Sequence, residues 1–335
     1  MSSKQLGFAV AASILAAACA PEAEPPAAPP PAAPPAQAAP QPAATPAPAA
    51  SGPSVIVAER GGFIPEGVEY DQANGRFLTG SLAEGSIYQW HADGTLTAVV
   101  QDPELVSSVG IEVDEPRDRL LVANSDSAVF QGGTQGQAKL GVFSLTTGER
   151  IAMVDLAATL GSVPDDAAFF ANDVTVTDDG EIFVTDTRMN VLYRVDNDYQ
   201  ASVLHRFEPM EGLALNGLVH HPDGYLLVIS LGNGNLYKVP VDNPAATSQV
   251  TLPEPVAGGD GVFWTAAGLL AIVSNSGNRV VALASNDAWA SARIAGTAPY
   301  EGQATTGAAV GDALYVVKPH FADQDPPSIE RVTLQ

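Results

Sequence analysis

The sequence predicts an all-β fold, a six-bladed β-propeller whose N-terminal strand closes the last blade. Three observations carry that expectation. One pattern recurs six times: an alternating apolar run, a turn, then a second alternating run, as in NDVTVTDDGEIFVTD from Asn172. Aligning the copies at Gly67, Gly110, Asp173, Gly217, Gly261 and Gly307 gives steps of 43, 63, 44, 44 and 46 residues. A period in the mid-forties with about four short strands per unit is the mark of a propeller blade. Finally, an unmatched strand stands at each end of the repeats, SVIVAE (Ser54 to Glu59) and SIERVTL (Ser328 to Leu334). If they pair, the ring closes and no sheet edge is left open.

Taken in order, the chain begins with segments outside the ring. Lys4 precedes an uncharged, largely apolar run from Gln5 to Ala18. The run is too short to cross a bilayer as a finished helix and suits a signal-peptide core. Ala16, Ala17 and Ala18 before Cys19 resemble a bacterial lipobox, with its usual Leu displaced one place to Leu15. Residues 1–19 are therefore expected to be a lipoprotein signal ending at a lipidated Cys19, the only cysteine in the sequence. An ordinary secretory signal cut after Ala18 or Ala20 is the alternative. Residues 20–53 are almost wholly Ala and Pro and cannot bury a core. At roughly 3 Å per residue such a tether reaches about 100 Å. Ala20, rather than Asp, follows Cys19. By resemblance to Gram-negative lipoproteins this implies the outer membrane, facing the periplasm, with secretion as the alternative.

Residues 54–335 are expected to form the propeller. They hold 36 acidic against 14 basic residues and no cysteine. The charge argues against nucleic acid and anionic headgroups as partners, which leaves a lipid anchor as the only membrane contact. No disulfide is needed at this length. The long step between Gly110 and Asp173 holds two additions, QGGTQGQAKLG from Gln131 and ATLGSVPDDAAFFA just before Asn172. The second leads into an innermost strand, so Phe169 and Phe170 are expected at the central mouth, as a pocket wall or as packing onto the blade tops.

In a propeller the first strand of each blade lines the axis. The residues just before the aligned positions are Glu66, Val109, Asn172, Asn216, Asp260 and Thr306. Four of them are carboxylates or amides on strands otherwise apolar. Unpartnered polar groups there are costly, roughly 1–3 kcal/mol each. Two carboxylates and two amides offer only oxygen donors, which suits Ca²⁺ or another hard divalent cation and not zinc. The alternative is that the four hydrogen-bond to backbone and hold the blades in register.

Glu66-Gly67, Asn172-Asp173, Asn216-Gly217 and Asp260-Gly261, in that order and spacing, resemble the senescence-marker-protein/gluconolactonase/luciferin-regenerating-enzyme-like family, whose members include regucalcin-type lactonases. The resemblance runs through essentially the whole domain. It implies a catalytic divalent ion held by Glu66, Asn216 and Asp260, with Asn172 nearby and often touching substrate or a metal-bound water. Sugar-lactonase members carry an Arg two residues before the counterpart of Asn172, where this chain has Phe170. A lactone or ester less polar than a sugar lactone is therefore expected.

The expected chemistry is calcium-dependent hydrolysis, with Asp260 as first choice for the catalytic carboxylate and Glu66 as second. Asn172, Phe170 and His320 are the candidate substrate contacts. Ser81, Asp186, Ser230 and Asn275, equivalent to Lys318 or His320, are expected to rim the same mouth. His220 and His221 precede Pro-Asp-Gly and read as turn residues. No nucleophile elbow or P-loop is present. The rival readings are a non-enzymatic ligand- or protein-binding propeller with a structural calcium ion, and strictosidine-synthase-like chemistry, which leaves the axial oxygens unexplained.

Overall fold

Turn chemistry sets the blades. Between the innermost strand and the second, a residue must enter the left-handed region, and glycine does so without steric cost. Gly180 (φ 98°) and Gly224 (φ 84°) do this in the third and fourth blades, and Asp118 (φ 52°) takes the same role in the second. Alternating apolar residues then bury both sheet faces against the neighbouring blades.

The computed structural model describes residues 52–322 and 325–335. Residues 1–51, and with them the expected signal, Cys19 and nearly all of the tether, lie outside the described residues. Among the described residues no helix is long and apolar enough to cross a membrane. Six small sheets follow one another as an all-β, six-bladed propeller. The innermost strands are Val68–Asp71, Ser107–Asp114, Phe169–Val176, Leu215–His221, Gly259–Trp264 and Gly307–Val310.

Closure follows the expected route. Val55–Val57 pairs antiparallel with Ser328–Val332, with Ile56 opposite Ile329, as the fourth strand of the last blade. In the other blades a turn joins strands three and four, on the side away from the loops that lead into the innermost strands. In the last blade that turn is missing, and the first and last strands of the ring meet in its place, Arg331 N donating to Ser54 O at 2.8 Å. At the axis Thr305 Oγ1 donates to Glu66 O at 2.8 Å, which ties the sixth blade to the first.

The core lies between blades. Leu140, Val142 and Leu156 pack with Val174, Val184 and Tyr193 of the next blade. The patch from Asp155 to Leu160 with helical spacing is a short 3-10 turn, Ala157–Leu160. The third blade carries a fifth strand: Gly136–Gln137, from the first addition, pairs parallel beside Phe169–Phe170 at the start of the innermost strand.

Candidate active site

The site residues stand where the ladders break. Register shifts fall between Ala171 and Val174, Leu215 and Leu218, and Gly259 and Val262. Each interval contains one predicted pair: Asn172-Asp173, Asn216-Gly217 or Asp260-Gly261. A bulge re-aims a side chain at the cost of local pairing, and here the first residue of each pair lines the cavity at the axis. The following glycine lets neighbouring strands meet. A Cβ on Gly261 would lie 2.6 Å from Thr306 Cα, and one on Gly110 would lie 2.7 Å from Asn172 O. Asp173 replaces that glycine in the third blade; its carboxylate accepts from Val174 N at 2.9 Å and Leu218 N at 3.2 Å, stitching two blades together.

Glu66, Asn172, Asn216 and Asp260 line one cavity of about 570 Å³ on the upper face. All four are buried, between 4% and 9% exposed. Asp260 Oδ2 accepts from Asn275 Nδ2 at 2.9 Å, and Asn275 Oδ1 accepts from Gln303 Nε2 at 2.7 Å. Burial pushes Asp260 up to about 7, against the pull of its Asn275 and Asn216 hydrogen bonds, and the Asp173 charge adds to the rise. Glu66 is pushed well above the usual carboxylate range by burial, then by Asp260 and Asp173.

The donor set fits a hard divalent cation. Glu66 and Asn172 are both buried and face the cavity. Two carboxylates driven toward neutrality by burial and neighbouring charge, beside two amide oxygens, are what a shared cation would satisfy. No group of three His, Cys, Asp or Glu among the described residues is disposed to hold a metal ion. The set here is two carboxylates and two amides, with no thiol or imidazole.

Phe170 lines the cavity and is also a buried member of the interblade core at 4% exposure, and the half-buried Phe169 packs against that core. Phe321, rather than its neighbour His320, is among the lining residues. Asn275 takes its expected place, but Ser81, Asp186 and Ser230 are fully buried and do not rim the mouth. They satisfy loop backbone from beneath: Asp186 Oδ1 accepts from the N–H groups of Phe170, Arg188 and Met189, and Ser230 Oγ accepts from Ala214 N. His220 and His221 end an innermost strand beside the turn, and His220 also lines the lower channel.

Sequence reasoning missed two features. Phe130 reaches the cavity from the segment Ser127–Gln131, at a position with no counterpart in the repeats. The second is the lower channel, about 420 Å³, which shares Glu66, Asn172 and Asn216 with the upper cavity and is lined by Glu69, Glu112 and Asp173. Burial and the Asp173 charge push Glu69 up to about 8. Burial takes Asp173 to about 7, against two backbone hydrogen bonds, and drives Glu112 well above the carboxylate range, helped by Glu69. The repeat alignment, read two places past each aligned position, contains Glu69, Glu112 and Thr175.

A family model described as the SMP-30/Gluconolactonase/LRE-like region matches residues 64–317. No curated protein matches the sequence. Among solved structures, the major allergen Mala s 1 of Malassezia sympodialis superposes with a TM-score of 0.70 at 17% identity, over 84% of this chain and 96% of that one. A luciferin-regenerating enzyme superposes at 0.60 with 14% identity, over 84% and 95%. A gluconolactonase of Xanthomonas campestris superposes at 0.58 with 17% identity, over 84% and 89%. At these identities the likeness is one of fold.

Proposed function

Because this chain belongs to the SMP-30/gluconolactonase/LRE-like family, we propose that it is a lactonase-type hydrolase, dependent on Ca²⁺ or another divalent cation. Its substrate in this reading is a small lactone or ester less polar than a sugar lactone. The observation that carries the proposal is the convergence of Glu66, Asn172, Asn216 and Asp260 in one cavity, all four buried and both carboxylates pushed above their usual range. The cavity's apolar lining, Phe170 included, supports the less polar substrate.

Glu66, Asn172, Asn216 and Asp260 would hold the cation. Its chemistry there is to polarise the ester carbonyl and stabilise charge growing on that oxygen. Asp260 acts beside it as the base. Its carboxylate, oriented by Asn275 and Asn216, takes the proton of the attacking water and returns it to the departing alkoxide. Asn172 orients the substrate, and Phe170 keeps bulk water from one side of the site.

A screen of lactones, aryl esters and organophosphates tests this. At least one should turn over, with activity lost on chelation and restored by Ca²⁺. No metal-dependent turnover across the screen would instead favour a ligand-binding propeller with a structural ion, a reading the apolar cavity walls also suit. The proposal extends to location: residues 1–19 direct export and Cys19 carries the lipid that anchors the protein in the envelope. Labelled fatty acid should be incorporated by the full chain and not by Cys19→Ser; equal labelling would remove the anchor.

A further inference from the structure

The upper cavity is larger than a bare lactone ring needs, and its wall includes Phe130, from a segment outside the repeats. Phe130 and Phe170 meet edge to face, 4.7 Å between ring centroids, and the Arg188 guanidinium lies 5.9 Å from the centre of the Phe130 ring. Leu82, Ile64, Leu231 and Phe321 complete the apolar lining. Phe130 and Phe321 remain 57% and 41% exposed. Aromatic rings left at a cavity mouth are surface that a ligand can cover.

The aromatic wall is held in place. Asp126 Oδ1 accepts from Ala128 N at 3.0 Å and Ser107 Oγ accepts from Ser127 N at 3.1 Å, which fixes the short turn bearing Phe130. Gly136–Gln137 pairs with Phe169–Phe170, and the buried Asp186 holds Phe170 N at 3.1 Å and Arg188 N at 2.9 Å. Three separate segments thus converge on one Phe130–Phe170 face above the polar floor. A preformed wall takes a substituent without a cost of ordering itself.

We propose that the Phe130–Phe170 wall is a subsite for a linear hydrocarbon substituent on the substrate, so that the preferred lactones or esters carry an alkyl chain beside the reacting carbonyl. This rests on the hydrolase reading of the floor and deepens it: the floor fixes the carbonyl, and Phe130 sets selectivity by chain length.

Alkyl-substituted cyclopentanones, methyl through hexyl, test the subsite independently of turnover, since a ring ketone cannot be hydrolysed. Calorimetry on the Ca²⁺-loaded domain should show Kd tightening about fourfold per added methylene until the wall is covered. Phe130→Ala should weaken the longest member about tenfold or more and flatten the series. A flat series in the native domain overturns the subsite, even if a small lactone is turned over. A graded series unchanged by Phe130→Ala overturns the assignment to this wall. A graded series that Phe130→Ala flattens, without hydrolysis of any lactone, keeps the subsite and sinks the hydrolase reading alone.

Discussion

At the scale of the residue, the bulge and the glycine behind it do the positioning. Asp260 is turned toward the axis because the ladder skips a step there, and Gly261 makes room for Thr306. Two outcomes follow. Asp260→Asn should lower turnover by about 10²-fold or more, while the chelated domain keeps its melting temperature, because one of two repelling buried carboxylates is gone. A cooperative loss of fold would instead make Asp260 a structural group. Gly261→Ala should cost about 1–3 kcal/mol through overpacking, read as a lower denaturant midpoint; an unchanged midpoint would show that the strands have slack.

At the scale of the element, closure depends on one short strand. Ile56, opposite Ile329 and 2% exposed, carries its packing. Ile56→Ala should cost about 2–5 kcal/mol. A chain starting after residue 58 should aggregate through the bare edge of Ser328–Val332; a monomeric truncation with native stability would contradict that role. Repetition explains what was legible at this scale. The four floor residues and the innermost strands occupy repeated positions, and a pattern seen six times can be read from letters alone; the closing strand is legible as the one left unmatched. Phe130 stands once, in an insertion whose path is set by Ser107, Asp126 and the pairing of Gly136–Gln137, contacts that no spacing encodes. The rim failed for another reason. Ser81, Asp186 and Ser230 are polar at the ends of second strands, which suggests a mouth, but their partners are loop N–H groups lying above them.

At the scale of the whole molecule, the axis gathers negative charge. Glu66, Glu69, Glu112, Asp173 and Asp260 line the two cavities on it, with His220 low in the channel. Asp260 and Asp173 rise to about 7 and Glu69 to about 8, chiefly because burial disfavours the charged form. Their folded values lie above the unfolded ones, so the native state binds more protons between about pH 4 and 8 and stability falls as pH rises through that window. The chelated domain should therefore melt at progressively lower temperature from pH 5 to pH 8. Ca²⁺ should raise the melting temperature most at the upper end, where the carboxylates are ionised. A melting temperature that climbs with pH without cation would refute the axial account.

The missing hairpin of the last blade has a practical consequence. Residue 54 joins the ring at its back, where the other blades have a turn. A fluorophore, fusion partner or solid support coupled there approaches from the rear and leaves the entrance between Phe130 and Phe321 clear. Protein immobilised on beads through residue 54 should keep its full capacity for bulky ligands, and the same coupling made through residue 321 should block them.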